Sequence, residues 1–393
     1  MAEAILALNA GSSSLKFALF TLVAAADPAL LCRGEIEDTS SAPRFIAADA
    51  AGKTIADRRL PSRSKDETPL GDLLDWTEQY LGERTLLAAG HRIVHGGKDF
   101  AAPVRLTPEI VTALTALTPL DPLHQPLGLA PINALTKLRP NLAQVACFDT
   151  AFHHDLAPPV SRYALPLEYE AKGIRKYGFH GLSYEYIARR LAELSPHLVS
   201  RRTVVAHLGN GASLCAMRHG KSLDTTMGFS ALDGLVMGTR SGAIDPGILL
   251  YLLKEEGLSP EGLEDLLYRR SGLLGVSGIS GDMRALLASA EPRAKAAVDL
   301  FAFRVAQEIA VMTNTLGGLE LLVFTGGIGE HAAAVRAMIA DRLHWLGAAI
   351  DPAANGAGAE RIDTPQSGVE VRVIPTNEEL VIARHVSRLL VSI

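Results

Sequence analysis

The segment Asp224-Thr225-Thr226-Met227-Gly228-Phe229-Ser230, followed by Gly238-Thr239-Arg240-Ser241-Gly242, gathers hydroxyls, glycines and one arginine into a stretch poor in helix and strand formers. Glycine lets backbone approach a ligand closely, and hydroxyls beside a guanidinium suit phosphoryl oxygens. The expectation is phosphoryl chemistry. Three other glycine-rich turns point the same way. Asn9-Ala10-Gly11-Ser12-Ser13-Ser14, with Lys16 two residues on, offers backbone N–H groups, hydroxyls and an ammonium to phosphates. His207-Leu208-Gly209-Asn210-Gly211 is a second turn of this kind, and either could equally be a structural hairpin. Gly326-Gly327-Ile328-Gly329 stands between an apolar run and a helical pattern, where a nucleotide could rest at the helix N-terminus.

Charged groups sit beside these turns. Arg92, in Gly90-His91-Arg92-Ile93-Val94-His95-Gly96-Gly97, could clamp a carboxylate or phosphate with two parallel hydrogen bonds. Asp149 closes an apolar run and reads either as a catalytic or metal-linked acid or as a helix N-cap. His180 lies between glycines in Tyr177-Gly178-Phe179-His180-Gly181, which favours a hydrogen-bonding role over a core one. Thr376-x-x-Glu379 matches a capping box, which gives Glu379 a structural task and leaves Glu378 for water on a magnesium ion. His153-His154 and the other histidines form no spaced metal pair, so no zinc is expected.

Two motifs compete. Gly220-Lys221-Ser222 is no P-loop, because Cys215 stands where that motif needs its first glycine. Gly327-Ile328-Gly329-Glu330-His331-Ala332 fits the dinucleotide fingerprint, with Asp351 downstream for a ribose hydroxyl. That would make an NAD-dependent oxidoreductase, but the motif lies near the C-terminus rather than in a first strand-helix unit.

The elements that position these groups follow from periodicity. Ile5 to Leu8 and Leu15 to Phe20 read as strands around the first turn, and the pattern returns near Val204 around the second. Two such hairpins half a chain apart predict two domains of like design. Residues 33 to 70 read as a peripheral meander without chemistry. Lys295 to Thr315 is helical by spacing, Leu321 to Phe324 is a buried strand, residues 326–329 are a tight turn, and His331 to Leu346 is a helix. A last helix opens at Thr376 and runs to about Leu390.

The 393 residues suffice for two cores, and 48% hydrophobic with 21% charged residues describes a globular chain. A net charge of −5 argues against a general nucleic-acid binder. The 3 cysteines show no CxxC spacing, as in a reducing compartment. No leader pattern or membrane-length apolar run is seen, so the expectation is a cytoplasmic protein with no membrane partner.

Taken in order, Leu8 to Lys16, His91 to Gly97, Phe148 to His153, Tyr177 to Gly181, His207 to Gly211, Met227 to Phe229, Met237 to Gly242, Phe324 to Glu330 and Thr376 to Glu379 resemble the acetate kinase family over almost the whole chain. The resemblance implies an α/β, two-domain, actin-like fold of the sugar kinase and Hsp70 type, with a nucleotide cleft between duplicated domains, usually in a homodimer. It implies a first domain of residues 1–150 completed by 381–393 and a second of 151–380. The reaction implied is reversible transfer of the γ-phosphoryl of ATP to a short carboxylate, acetate or propionate, giving an acyl phosphate and ADP. Arg92 would hold the carboxylate and Asp149 would be the essential acid, while His180 and Arg240 would stabilise the phosphoryl in flight. Asn9 and Glu378 would serve magnesium, with manganese as its substitute, and Lys16 and Ser12 would serve the phosphates. His207, Leu208, Gly209, Asn210 and Gly211, then Asp282, Met283 and Arg284, and Gly326, Gly327, Ile328, Gly329 and Glu330 would line the nucleotide. The acyl pocket would comprise Val94, Leu123 and Phe179, with Ala231 where the family usually has proline. Ala243 and Gln125 also depart from the pattern, standing for an aspartate and an asparagine. A methylene is worth about 1–3 kcal/mol in such a pocket, so propionate is expected within about tenfold of acetate.

Overall fold

The computed structural model describes residues 3–11, 14–22, 27–37, 43–61 and 69–391. Ser12 therefore lies outside the described residues. The contacts divide the chain into Met1–Ala151 with Asn377–Ile393, and Phe152–Thr376.

The first unit is built on strands β1 (Glu3–Ala10), β2 (Ser14–Thr21), β3 (Ala29–Glu37), β4 (Arg44–Asp49), β5 (Thr54–Arg59), β6 (Thr85–Ile93), β7 (Val104–Arg105) and β8 (Ala143–Phe148). They lie in the order β5-β4-β3-β2-β1-β6-β8-β7. β1 forms an antiparallel hairpin with β2 and runs parallel to β6, which runs parallel to β8. Ala4 to Leu8 are buried without a polar interruption, as a strand covered on both faces requires. One covering layer is the Glu378–Val391 helix. Gly90 admits it: a Cβ there would meet Ile382 Cγ2 at 2.3 Å and Val386 Cγ2 at 2.7 Å. Arg92, two residues further along β6, shares that face.

The second unit holds β9 (Thr203–Leu208), β10 (Ala212–Arg218), β11 (Lys221–Thr225), β12 (Leu321–Thr325) and β13 (Glu370–Val373), in the order β11-β10-β9-β12-β13. Here β9 pairs antiparallel with β10 and parallel with β12, and β12 runs parallel to β13. This repeats β3-β2-β1-β6-β8 strand for strand. The like design expected from the two hairpins, and the actin-like α/β fold implied by the resemblance, are thus present in both sheets.

Several local expectations change. Residues 326–329 open the short helix Gly326–His331 instead of a turn. The expected single helix from His331 to Leu346 is Ala333–Arg342 followed by a 3-10 turn, His344–Leu346. The Lys295–Thr315 pattern grows to Pro292–Leu316, ended by Gly317 in the left-handed region. At the last helix, Asn377 Oδ1 accepts from the Leu380 N–H at 3.0 Å, so Asn377 is the cap and the Thr376 capping box does not form. Among the described residues no helix is long and apolar enough to cross a membrane.

Candidate active site

In the first unit, parallel strands place their C-terminal ends at one edge of the sheet, where open α/β sheets carry ligands. Asn9 is the penultimate residue of β1, Arg92 nears the end of β6 and Asp149 follows β8; the register pairs Leu8 with His91 and Ile93 with Phe148. Arg92 donates to Asp149 Oδ2 from Nη2 at 2.5 Å and from Nε at 2.9 Å. Its Nη1 donates to Asn9 Oδ1 at 3.2 Å. The Asn9 amide nitrogen donates in turn to Glu378 Oε2 at 3.0 Å and to Glu379 Oε1 at 3.4 Å. Lys16 stands across the hairpin from Asn9 and is exposed. Asp149 acts here as an acid in a charge network rather than as a helix cap. Glu379, freed from the capping box, joins the same set.

Charge in this set is unbalanced. Asp149 is 0% exposed, and its Oδ1 is buried with no hydrogen-bond partner among the described residues. Burial works against the Arg92 cation, but Asp149, Glu378 and Glu379 more than offset it and keep the guanidinium protonated. The Glu378 carboxyl is pushed up to about 7, first by burial, then by its like-charged neighbours Asp149 and Glu379, against the pull of Arg92 and Lys16. The donor set is hard oxygen with surplus negative charge, which fits a small divalent cation that keeps several waters. Among the described residues no three His, Cys, Asp or Glu side chains gather into a metal-ligating cluster. Val94 is buried just past β6, and Leu123 is half-buried in the turn before the Gln125–Leu138 helix. Gln125 ties that helix to the loop after Arg92: its Oε1 accepts from the His95 N–H at 3.2 Å, and its Nε2 donates to the His95 and Leu114 carbonyls. The longer amide thus has a structural use.

In the second unit, His180 has φ 59° and ψ 24°, a left-handed backbone at the start of the Gly181–Leu194 helix. Its ring stacks on His207, with centroids 4.4 Å apart. His180 Nδ1 meets Ser213 Oγ at 2.8 Å, and His207 Nδ1 meets Ser183 Oγ at 2.8 Å. The turn from Gly209 to Gly211 runs beside both imidazoles, as a Cβ at Gly211 would lie 3.3 Å from His180 Nε2. Asn210 carries its carbonyl to the Gly238 N–H at 3.0 Å, and a Cβ at Gly281 would lie 2.8 Å from the Gly238 carbonyl. The segments around 210, 238 and 281 therefore converge. Arg240 is half-buried, with Nη1 donating to the Ala231 carbonyl at 3.0 Å and its guanidinium over the Tyr268 ring. Phe179 and Ala231 are both buried.

Other expectations for this unit need correction. The hydroxyls that drew attention to residues 224–242 are turned to the protein. Thr225 Oγ1 donates to the Leu214 carbonyl, Thr226 Oγ1 accepts from the Leu214 N–H, Thr239 Oγ1 donates to the Tyr268 carbonyl and Ser241 Oγ to that of Gly242. Asp224 accepts from Lys176 Nζ at 2.9 Å and from Thr315 Oγ1 at 3.1 Å. These groups shape the loop that presents Arg240. The Gly326 N–H is occupied by Glu330 Oε1 at 2.9 Å, which also takes the Thr376 N–H at 3.2 Å, so this helix start already holds a carboxylate. Leu208 is buried, Gly326 packs on its carbonyl, Gly327 is exposed, Ile328 is half-buried and Gly329 is buried. Asp282 caps the Met283–Ala288 helix and pairs with exposed Arg284, while Met283 is buried. Asp351 caps the Pro352–Ala357 helix, which removes the ribose partner that the oxidoreductase reading needed.

Sequence reasoning missed several participants. Arg336 is fully buried, donating to the Gly329, Glu330 and Asn355 carbonyls and to Asn355 Oδ1, and so it fixes the 326–331 helix. Nothing in its helical surroundings marks it. Ser213, Tyr184 and Ser183 support the two histidines; Ser213 stood in the Gly-Asn-Gly-Ala-Ser turn, but its partner could not be read there.

The family model described as the acetokinase family matches residues 4–384. The chain is 51% identical to an acetate kinase of Rhodopseudomonas palustris (strain TIE-1) over 395 residues, covering 99% of each chain. It is 46% identical to an acetate kinase of Nitrobacter hamburgensis, covering 99% of this chain and 96% of that one. Among solved structures, a propionate kinase from Francisella tularensis superposes with a TM-score of 0.89 at 38% identity, covering 98% of each chain. The acetate kinase of Porphyromonas gingivalis gives 0.84 at 34% identity, covering 99% of this chain and 100% of that one. The full-length likenesses show that the chain is a phosphotransferase belonging to the acetokinase family.

Proposed function

We propose that this chain transfers the γ-phosphoryl of ATP to acetate, reversibly and with magnesium, giving acetyl phosphate and ADP, and that propionate is the close second substrate. The observation that supports it best is the strand-end set Asn9, Arg92, Asp149 and Glu378, an arginine among surplus carboxylates with one buried oxygen of Asp149 unpartnered. A carboxylate acceptor is already nucleophilic, so no strong base is required. The task is to bring anions together and spread charge over the phosphoryl oxygens.

In this reading Arg92 binds the acceptor carboxylate, and Asp149 holds Arg92 by its two hydrogen bonds, leaving Oδ1 as a further acceptor that would serve the metal. Asn9 and Glu378 would hold magnesium, or manganese in its place, and Lys16 and Ser12 would attend the phosphates. The metal would supply charge neutralisation for the transferring phosphoryl. His180 and Arg240 donate to the equatorial oxygens, and Ala231 aims Arg240 through its carbonyl. Val94, Leu123, Phe179 and Ala231 surround the acyl group. The turn from His207 to Gly211 lines the nucleotide together with the exposed members of the two neighbouring segments, Asp282, Arg284 and Gly327, while buried Met283 and Gly329 back them.

The assay is acyl-hydroxamate formation from ATP, Mg²⁺ and acetate, with propionate and butyrate alongside. Signal with acetate and propionate that needs metal is expected. Its absence from folded, ATP-binding protein overturns the reading, and a strict acetate preference removes the propionate arm.

The Pro246–Lys254 helix has no buried residue and exposes Ile248, Leu250 and Tyr251, which supports pairing with a second copy in a homodimer. Light scattering tests it. The three cysteines are buried, which suits a reducing cytoplasm.

A further inference from the structure

We propose that Tyr184 and Ser213 form a relay that fixes neutral His180 as its Nε2–H tautomer, making this histidine an obligate hydrogen-bond donor at Nε2. The proposal rests on the reading of His180 as a phosphoryl-stabilising group.

The argument is a hydrogen-bond account. Tyr184 is 0% exposed, and its hydroxyl lies 2.5 Å from Ser213 Oγ, its one hydrogen-bond partner among the described residues. Ser213, also fully buried, has His180 Nδ1 at 2.8 Å as its second contact. Three proton arrangements connect the three groups. In the first, Tyr184 donates to Ser213, Ser213 donates to Nδ1, and the imidazole proton sits on Nε2. In the second, His180 carries its proton on Nδ1 and donates it to Ser213, which donates to Tyr184. In the third, Tyr184 and His180 Nδ1 both donate to Ser213. The second leaves the Tyr184 proton, and the third the Ser213 proton, buried without an acceptor among the described residues. An unmet buried donor of this kind disfavours its arrangement by about ten- to hundredfold. The phenol cannot escape by ionising, since burial first, then the nearby Cys215, holds its pKa well above the ordinary 10, against the opposing effect of its hydrogen bond with Ser213.

The neighbouring histidine has its own relay. Ser183 Oγ donates to Thr376 Oγ1 at 2.9 Å, so the His207 Nδ1 beside it is placed to donate to Ser183. The stacked pair thus carries opposite tautomers, and both Nε2 atoms lie next to the side-chain-free turn at Gly209 and Gly211. A phosphoryl oxygen only accepts, so only the Nε2–H form of His180 serves it. Tyr184 and Ser213 touch no substrate in this scheme. They are positioning residues, acting through His180.

The test is ¹⁵N NMR of histidine-labelled, full-length protein above the imidazole titration, with the His180 signals identified by their loss in His180→Gln. The wild type should show a protonated Nε2 and an unprotonated Nδ1. Tyr184→Phe, which keeps the ring packing, and Ser213→Ala should each give a tautomer mixture. Both variants should lower kcat by about tenfold with KM for ATP nearly unchanged, as expected when a donor is correctly placed in only part of the molecules. A wild-type His180 protonated on Nδ1, or a spectrum untouched by both substitutions, overturns the relay. If His180→Gln keeps full kcat, the phosphoryl role falls instead, and the spectra alone decide the relay.

Discussion

Replacing Glu378 with glutamine should make the protein more stable and less active. The folded state holds the Glu378 proton up to about pH 7, because burial and the neighbouring Asp149 and Glu379 oppose its charge. An unfolded chain releases it near the ordinary 4.5. Between these values the folded protein binds the extra proton, so its stability falls as pH rises through the window. The whole effect is on the order of 3 kcal/mol, fully developed above pH 7 and absent below 4.5. Glutamine keeps the shape and can still accept from Asn9, but it carries no charge to bury. Urea midpoints of metal-free wild type and Glu378→Gln, compared from pH 5 to 8, should therefore diverge in favour of the variant as pH rises. Activity should move the other way, falling by about a hundredfold or more, since in the proposed scheme the metal would lose a charged ligand. A variant no more stable than wild type at pH 8 would refute the claim that this carboxylate is held against its electrostatic preference.

Four further outcomes test other parts of the reading. Asp149→Asn should leave Arg92 without its charged partner and cost about 10²–10³ in kcat/KM with acetate; near wild-type rates would remove Asp149 from the mechanism. Arg240→Ala should lower kcat by about 10³ or more, with ATP binding retained in a direct binding assay. His91, His95 and His153 are each held down to about 4 by burial, so they stay neutral in the fold while an unfolded chain protonates near 6.5. Stability should then fall as pH drops from 6.5 towards 4, by up to about 4 kcal/mol per pH unit, and a flat urea-midpoint profile from pH 7 to 5 in the Glu378→Gln background contradicts it. Ala231→Pro should lower the propionate-to-acetate ratio of kcat/KM by about tenfold in competition assays, and an unchanged ratio takes Ala231 out of the acyl pocket.

Much of this was legible in the chain itself. Short continuous apolar runs such as Ile5–Leu8 and Leu321–Phe324, bounded by glycine-rich turns, read as buried strands, and the Asn9 and Asn210 turns recur because each closes the same hairpin in its own sheet. Arg92 stands out because an arginine among histidines and glycines at a strand end has few structural uses, whereas Asp149 reads equally as a helix cap and the roles of His180 and Arg240 on the phosphoryl in flight come only from the family resemblance. What the order of residues left open was which polar atoms are spent inside the protein. Thr225, Thr226, Thr239 and Ser241 have the right chemistry for phosphate, yet their hydroxyls satisfy backbone groups, a choice made by loop conformation. Glu379 matched a capping box until Asn377 took the cap, and that one-residue difference turned it towards Asn9. The Glu378 pKa, the tautomer of His180 and the buried clamp of Arg336 depend on neighbours up to hundreds of residues away. Hydrophobic pattern is a local property that survives translation into sequence. Electrostatic environment is a sum over everything the fold brings near, and only the tertiary structure performs that sum.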